Sequence, residues 1–314
     1  MHMELKKMIA PFDAEEALQH LEKIFGIEER LLEECQLNGS EAQWNQDIVY
    51  FAYEDKTLLG MIHGTIPEKT PCVAGLSAMF TTEAARGKGI GKLLFGKIVE
   101  EVSGHNVQLT VLGTSNPVAA KLYAQFGFGF CPGSNVMARF SQGNMVDFTQ
   151  EYYQQLRGSA AVVKGDPAMR IPIVPLTLQR EYGLILDINT GIFNSDTVTQ
   201  YSCMGLYPRY IALRQRGGDY FMAMDEAGTL GAVGSVAPQE NGANRADFFS
   251  VPAFRSVIPE MIRKMEEAFG KVYFEIACGD SDKASILKEN GYTPIGEGCC
   301  AAGNLIIKTV KYSK

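Results

Sequence analysis

The sequence has few residues that would build a metal site or a disulfide scaffold. Its 314 residues include seven cysteines and four histidines, and they contain no Cys-x-x-Cys pair. Structural zinc sites and small disulfide-bonded domains both depend on regularly spaced ligands of these types. We therefore expect reduced, mostly buried thiols and no bound metal.

Two further absences narrow the class of protein. No apolar run reaches the length of a membrane-spanning helix, and the first seven residues lack the apolar core of a secretory signal. The net charge of −7 opposes nucleic-acid binding, which usually needs a basic surface. The sequence predicts a cytoplasmic protein with neither a membrane nor a nucleic acid as partner.

The length of the chain favours two domains, because 314 residues exceed the size at which one hydrophobic core usually stops growing. In the first half, apolar periodicity predicts alternating strands and helices. The strands are Leu5–Ile9, Ile48–Tyr53, Leu58–Gly64, Ala74–Thr81, Val107–Leu112 and Phe128–Phe140, and the helices are Asp13–Phe25, Glu28–Cys35, Ile90–Val102 and Asn116–Phe126.

The second half repeats this order more weakly. Its predicted elements are strands at Arg170–Val174, Tyr220–Met224, Thr229–Val233, Ala246–Val251 and Val272–Ala277, with helices at Leu178–Phe193 and Val257–Phe269 and a last one from Asp280. The segment Asp280–Tyr292 aligns with Asn116–Phe128 at a constant offset. We expect domains at 1–142 and 169–314 joined by a connecting segment at 143–168; chance similarity of two α/β segments is the alternative.

The segment Arg86–Lys92 follows a strand and begins a helix, so its backbone N–H groups and the positive helix end converge where an anion could bind. Its glycines permit dihedral angles that turn several amides toward one point. The spacing fits neither the Rossmann pattern nor the P-loop. A turn that merely joins strand to helix is the alternative to a phosphate site.

The Arg-x-x-Gly-x-Gly form of this loop resembles the acetyl-CoA loop of the general-control-related N-acetyltransferase (GNAT) family. A second motif of that family, Asn at the start of a later helix, Tyr seven residues on and then Gly-Phe, matches Asn116, Tyr123, Gly127 and Phe128. The resemblance covers roughly residues 1–140. It implies an α/β fold of the α+β mixed-sheet type, with two GNAT-like domains in tandem, each a mostly antiparallel mixed sheet flanked by helices.

The resemblance also implies the chemistry, in which a primary amine attacks the thioester of acetyl-CoA directly. Acetyl-CoA is then the co-substrate. The resemblance assigns the catalytic and cofactor-binding roles to the residues that stand at the family's motif positions. Tyr123 is the expected proton donor to the departing thiolate, with a core packing role as the alternative. The expected acetyl-CoA contacts are Met79, Phe80 and Thr81 at the splayed strand end, Arg86, Gly87, Lys88, Gly89, Ile90, Gly91 and Lys92 in the loop, and Asn116 at the later helix.

The base that deprotonates the acceptor is not assigned by the sequence. Glu54, His63 and Glu83 are candidates only, and each is expected to be solvated or structurally satisfied.

The second half lacks the phosphate loop. The corresponding segment, Val251–Pro259, contains no glycine, carries two prolines that lack an N–H, and places Phe254 where the pyrophosphate would lie. Leu287 stands in the place of Tyr123. We expect this half to be a degenerate repeat and the chain to have one active site.

The sequence thus favours an N-acetyltransferase acting on a primary amine of a small molecule or peptide. A protein that binds acyl-CoA without turning it over, as a sensor, is the competing class of function. We also consider that two copies of the chain form a homodimer.

Overall fold

The computed structural model describes residues 3–179, 183–199 and 204–314. The chain divides into two compact units. The first comprises the residues up to Phe130 together with Asn135–Asn144, and the second comprises Cys131–Ser134 and most of the chain from Met145 to Lys314.

The first unit is a seven-stranded sheet with four helices. Its strands are β1 (Met3–Ile9), β2 (Asn45–Glu54), β3 (Thr57–Pro67), β4 (Val73–Thr81), β5 (Leu109–Gly113), β6 (Gly129–Phe130) and β7 (Val136–Phe140), in the order β1-β2-β3-β4-β5-β7-β6. Its helices are α1 (Glu15–Phe25), α2 (Ile27–Leu37), α3 (Ile90–Ser103) and α4 (Pro117–Ala124). Only the β4–β5 pair is parallel within the described residues of this sheet.

The two faces of this sheet have separate cores. Ile90, Leu94, Ile98 and Val102 of α3 form the predicted apolar stripe and are buried against one face, together with α4. On the other face, Ala17, Leu18 and Leu21 of α1 and Leu37 of α2 pack against apolar residues of β2, β3 and β4. Strands β3 and β4 therefore lie between two hydrophobic layers.

The second unit contains a sheet of the same order and strand directions. Its strands are β8 (Ala160–Lys164), β11 (Asp219–Asp225), β12 (Leu230–Pro238), β13 (Asn244–Ser250), β14 (Val272–Ala277), β15 (Thr293–Ala302) and β16 (Leu305–Ser313), in the order β8-β11-β12-β13-β14-β16-β15. A separate hairpin consists of β9 (Ile185–Asp187) and β10 (Ile192–Phe193). The helices are α5 (Met145–Tyr153), α6 (Ile173–Thr177), α7 (Leu206–Gln215), α8 (Ile258–Phe269) and α9 (Ser281–Glu289). The predicted fold class, two mixed α/β sheets of GNAT-like order, is confirmed.

The start of the second unit differs from the prediction. The first strand of its sheet is β8, which lies within the predicted connecting segment 143–168. The predicted strand Arg170–Val174 is wrong: this stretch leads into α6, a buried helix whose Pro175 sits in the first turn, where proline is tolerated. A short, fully buried apolar run has no periodicity by which strand and helix can be distinguished.

The predicted helix Leu178–Phe193 is also wrong in its described part, and its residues 180–182 lie outside the described chain. The β9–β10 hairpin occupies this stretch. The side chain of Asp187 accepts hydrogen bonds from the backbone N–H groups of Asn189 and Thr190, and Gly191 follows at a φ of +64°. This turn, stabilised by an aspartate side chain, is incompatible with a continuous helix.

In the described part of the chain, no helix combines the length and apolar character needed to cross a bilayer. No grouping of three or more described His, Cys, Asp and Glu side chains is arranged to hold a metal ion.

Candidate active site

A bulge in β4 is the first feature of the site. Gly60 and Met61 of β3 pair with Thr81 and Phe80, but His63 pairs with Ser77, so β4 contains one residue more than its partner at this point. Ala78 adopts a φ of +47°, which non-glycine residues rarely do. A bulge re-aims the local backbone out of the regular ladder.

The same end of β4 also separates from β5. Parallel pairing in the described sheet runs from Val73–Leu109 to Gly75–Val111 and stops there. The remaining six residues of β4 therefore border an opening in the sheet. Met79, Phe80 and Thr81, which we predicted at a splayed strand end, lie beside this opening.

The glycine loop has the left-handed backbone that its composition predicts. Gly87 has a φ of +77° and Gly89 a φ of +79°, and Gly89 is the N-terminal cap residue of α3. A Cβ built on either residue would meet no protein atom within 4 Å. Glycine is therefore required here by conformation, and both residues face open space at the positive end of a fourteen-residue helix.

A cavity of about 900 Å³ connects the loop with the strand opening. This volume lies within the range of cofactor and ligand sites. Of the predicted site residues, its lining includes Met79, Phe80, Thr81, Arg86, Gly87, Gly89, Gly91, Asn116 and Tyr123. Three are absent from it: Ile90 is buried in the core below the loop, and Lys88 and Lys92 are exposed at its outer side.

Tyr123 lies between the core and this cavity. Its ring stacks on Phe95 with the centroids 4.5 Å apart, and its hydroxyl donates to Sδ of Met79 at 3.4 Å. Burial raises the pKa of Tyr123 to about 12. The phenol is therefore protonated at neutral pH, as a proton donor must be, while its ring fulfils the packing role that we considered as the alternative.

Asn116 caps helix α4. Its Oδ1 accepts hydrogen bonds from the backbone N–H groups of Val118 and Ala119, at 2.9 and 3.4 Å. The same residue lines the cavity. Since the cap uses Oδ1, the side-chain amide N–H groups are the part of Asn116 that the capping role leaves for a ligand.

Residues 15–128 match the model of a family described as the acetyltransferase (GNAT) family. These residues form a GNAT acetyltransferase domain. The loop amides, the cation of Arg86 and the cavity fit acetyl-CoA, whose pyrophosphate needs converging N–H donors and whose long arm needs a groove of this size. No curated protein matches the sequence significantly.

Three solved structures resemble the chain at low identity. The ribosomal-protein-S5-alanine acetyltransferase of Vibrio fischeri is 12% identical with a TM-score of 0.38, covering 49% of this chain and 92% of that one. The phosphinothricin acetyltransferase of Sinorhizobium meliloti, in complex with acetyl-CoA, is 14% identical with a TM-score of 0.39, and the match covers 49% of this chain and 87% of that one. The ribosomal-protein-alanine N-acetyltransferase of Brucella melitensis is 13% identical with a TM-score of 0.37, and the match covers 49% of this chain and 98% of that one.

A buried charged cluster lies on the α2 side of the GNAT domain's sheet. His63 is fully buried, with Nδ1 2.7 Å from Oε2 of Glu33 and Nε2 2.9 Å from Oδ1 of Asp47. Because both ring nitrogens face carboxylate oxygens, both must carry hydrogens, which makes the ring an imidazolium. Burial opposes this charge, but the two carboxylates outweigh burial and raise the pKa of His63 to about 9.

Sequence reasoning found only one member of this cluster. His63 was expected to be structurally satisfied, and it is. Glu33 and Asp47 were missed, although Asp47 pairs near His63 across β2 and β3, on the same sheet face. Of the other candidate bases, Glu83 is exposed in a 3₁₀ turn and Glu54 is the last residue of β2, where it pairs with Thr57 of β3.

The second unit has neither the bulge nor the glycine loop. Strand β13 pairs with β12 in continuous register from Ser250 to Asn244 in the described residues. The segment Pro252–Val257 forms a 3₁₀ helix, and the side chain of Phe254 packs on Gly231, where an added Cβ would lie 2.1 Å from Cδ2 of the ring. The prediction that Phe254 blocks the anion site is therefore wrong: its apolar ring is buried in the core instead.

The second unit's own chain fills the place that corresponds to the cavity. Strand β13 parts from β14 after Ala246, and the next residue, Asp247, binds Lys283 of α9 with Oδ1 2.6 Å from Nζ. The Lys283 ammonium also donates to the carbonyl oxygens of Ile185 and Leu186 in β9, at 3.1 and 3.0 Å. Strand β9 is thus held between β13 and α9, where the GNAT domain has its cavity between β4 and α4.

Proposed function

We propose that the GNAT domain transfers the acetyl group of acetyl-CoA to a primary amine by direct attack. The observation that carries the proposal is the contact of the Tyr123 hydroxyl with Met79, beside the β4 bulge and in the same cavity as the glycine loop. An anion site, a re-aimed backbone and a buried proton donor are then adjacent. Attack of an amine on the thioester of acetyl-CoA needs all three: a site for the cofactor phosphates, donors to the carbonyl oxygen and a proton donor to the departing thiolate.

The binding roles follow from this placement. The backbone of Gly87–Gly91 and the start of α3 hold the pyrophosphate, with Arg86 as the nearest cation and Lys88 and Lys92 adding positive charge outside the cavity. Asn116 contacts the pantetheine arm through its amide N–H groups. These assignments rest on the cavity lining and on the left-handed glycines.

The catalytic roles belong to two elements. Acetyl-CoA supplies an activated thioester carbonyl. Backbone amides around Met79, Phe80 and Thr81, beside the strand opening, stabilise negative charge on that carbonyl oxygen, an effect worth roughly 3 kcal/mol for one well-placed donor. Tyr123 donates its proton to the departing thiolate.

One active site per chain is part of the proposal. The second unit is a degenerate repeat, because β9 lies in the corresponding place and Leu287 of α9 stands in the position of Tyr123. Domain limits of 1–142 and 169–314 stay a prediction, to which the second unit adds β8 from the connecting segment.

The acceptor is a primary amine of a small molecule or a peptide. We propose no nucleic-acid or membrane partner. A homodimer stays a prediction, which light scattering of the purified chain at several concentrations would check.

Release of free thiol from acetyl-CoA tests the function. The panel consists of spermidine, kanamycin, a peptide with N-terminal alanine, and benzylamine, with the acetylated product identified by mass spectrometry. We expect thiol release with at least one amine and an acetamide product. Tight binding of acetyl-CoA with no thiol release in the presence of any of these amines would instead favour a sensing protein.

A further inference from the structure

Two glutamates on helix α2 lie on one face. Glu29 and Glu33 are four residues apart, so their side chains are one turn apart on the same side of the helix. Glu33 is buried and touches His63, whereas Glu29 is partly exposed. Glu29 is therefore the more accessible of the two carboxylates to a ligand.

The surroundings of Glu29 change its acidity. Burial, and after it the Glu33 carboxylate, raise the pKa of Glu29 to about 7, while the charge of His63 acts in the opposite direction. The charged groups that act on Glu29 are thus Glu33 on its own helix and His63 of β3, whose Nε2 in turn contacts Asp47 of β2. A carboxylate that titrates near neutral pH can both accept a proton and release it to water.

Strand β4 joins this cluster to the opposite face of the sheet. Ser77 donates from Oγ to Oε1 of Glu33 at 3.1 Å, and Met79, two residues on, accepts from Tyr123. Between them lies Ala78, the bulge residue. Ala78 packs in the core of the α1 and α2 face, while Met79 packs in the core of the α3 and α4 face. The consecutive residues Ser77, Ala78 and Met79 thus connect the buried cluster to the Tyr123 hydroxyl.

We propose that Glu29 is the base that takes a proton from the ammonium group of the acceptor, and that Glu33, His63 and Asp47 are positioning residues for it. The inference rests on the proposed function. It places the acceptor on the α2 face of β4 and the thiolate on the α4 face, so that attack occurs across the opening beside the bulge.

The proton balance is complete with these two groups. The acceptor nitrogen loses two protons when its ammonium form becomes an acetamide. Glu29 accepts the first and passes it to solvent, which frees the lone pair for attack. The carbon–nitrogen bond forms and the carbon–sulfur bond breaks, Tyr123 gives its proton to sulfur, and the second nitrogen proton restores the phenol.

His20 is the alternative candidate for the base that deprotonates the acceptor. It lies on α1, and its imidazole stacks on Phe80 with the ring centroids 5.5 Å apart, next to the cavity. Among the described residues His20 makes no hydrogen bond to Ser77 or Glu33, whereas Glu29 lies one turn from Glu33 on α2, so the β4 geometry favours Glu29. Variants at both positions decide between them.

The first experiment compares Glu29→Gln with Glu28→Gln, a charge-matched control on an exposed neighbour in the same helix. Each variant is assayed with the fastest amine of the panel and with hydroxylamine, which is uncharged at neutral pH and needs no deprotonation before attack. With the amine, Glu29→Gln should lower kcat/KM by about 10²-fold or more, a typical general-base contribution. With hydroxylamine it should stay within about threefold of the wild type.

The second experiment uses a readout that a purely structural role would not move. The full chain is labelled with ¹³C at the glutamate carboxyl carbons and titrated by NMR. One carboxyl should titrate near pH 7 and be missing in Glu29→Gln. In Glu33→Gln its pKa should fall, because a carboxylate neighbour is lost, and in His63→Asn it should rise, because a cation is lost.

The outcomes separate the two levels of the proposal. Loss of the amine reaction in Glu29→Gln, with hydroxylamine spared and Glu28→Gln normal, supports Glu29 as the base. An unchanged amine reaction in Glu29→Gln, or a matching loss in His20→Gln alone, overturns the assignment and leaves acetyl transfer standing. A wild-type protein that releases no thiol with any nucleophile overturns the proposed function, and the catalytic role of Glu29 with it.

Discussion

The hydroxyl of Tyr123 donates to Sδ of Met79 across 3.4 Å, which brings helix α4 to the bulged part of β4. The ring is fixed by stacking on Phe95. A tyrosine whose position is set by core packing and whose hydroxyl ends at a cavity is pre-organised for proton donation. This contact links the packing of the GNAT domain to its proposed chemistry.

Replacing Tyr123 by phenylalanine should leave the fold and the affinity for acetyl-CoA nearly unchanged, because the ring carries the packing. It should lower kcat by roughly 10²-fold, since the thiolate loses its proton donor. Steady-state thiol release and calorimetric titration check the two quantities. Tyr50→Phe is the matched control, because that hydroxyl contacts Glu101 away from the cavity; equal rates in both variants would leave Tyr123 a packing residue.

Gly89→Val should weaken acetyl-CoA binding by at least about tenfold, equivalent to about 1.4 kcal/mol. The φ of +79° disfavours a β-branched side chain, and the new group would occupy open space at the helix N-terminus. Calorimetry measures the affinity. Gly129→Val is the control, because a Cβ there also meets no atom within 4 Å, and no left-handed φ is found at that residue; similar losses in both variants would refute the loop assignment.

Lys283→Met should destabilise the chain by about 3 to 5 kcal/mol, because it leaves the buried carboxylate of Asp247 without its cation. The double variant Lys283→Met/Asp247→Leu should recover much of this loss. Urea unfolding measures the free energy of unfolding. Lys288→Met, an exposed lysine on the same helix, should be nearly neutral; equal effects at the two lysines would argue against a role for Lys283 in holding β9.

His63 should make stability depend on pH. Its folded pKa is raised from 6.5 to about 9, so its contribution is fully present below pH 6.5 and is lost as the pH rises toward 9. The free energy of unfolding should fall over this interval by an amount on the order of 3 kcal/mol. Urea unfolding at several pH values should show a flatter profile for His63→Gln. An unchanged slope in His63→Gln would show that the ring is not the titrating group.

Local sequence patterns predicted much of the GNAT domain. The left-handed glycines of the loop, the cap at Asn116 and the buried stripe of α3 each depend on residues close together in the chain. Conformational preferences of single residues and helical periodicity are sufficient for such features. The cavity lining at Met79–Thr81 followed from the family resemblance.

Features that depend on distant residues could not be predicted in this way. The cluster of Glu33, Asp47 and His63 joins a helix to two strands, and its members have no common spacing. Strand β9 fills a gap in its unit because of an ion pair formed 36 residues apart in sequence, between Asp247 and Lys283. Pairing of charges in the interior is decided by tertiary structure, which single-sequence patterns do not encode.

The stoichiometry of acetyl-CoA binding tests the central claim most directly. Calorimetric titration of the full chain should give one site per chain in the wild type, and that site should bind acetyl-CoA at least about tenfold more weakly in Gly89→Val. Two sites per chain, or one site that persists unchanged in Gly89→Val, would contradict a single active site at the glycine loop.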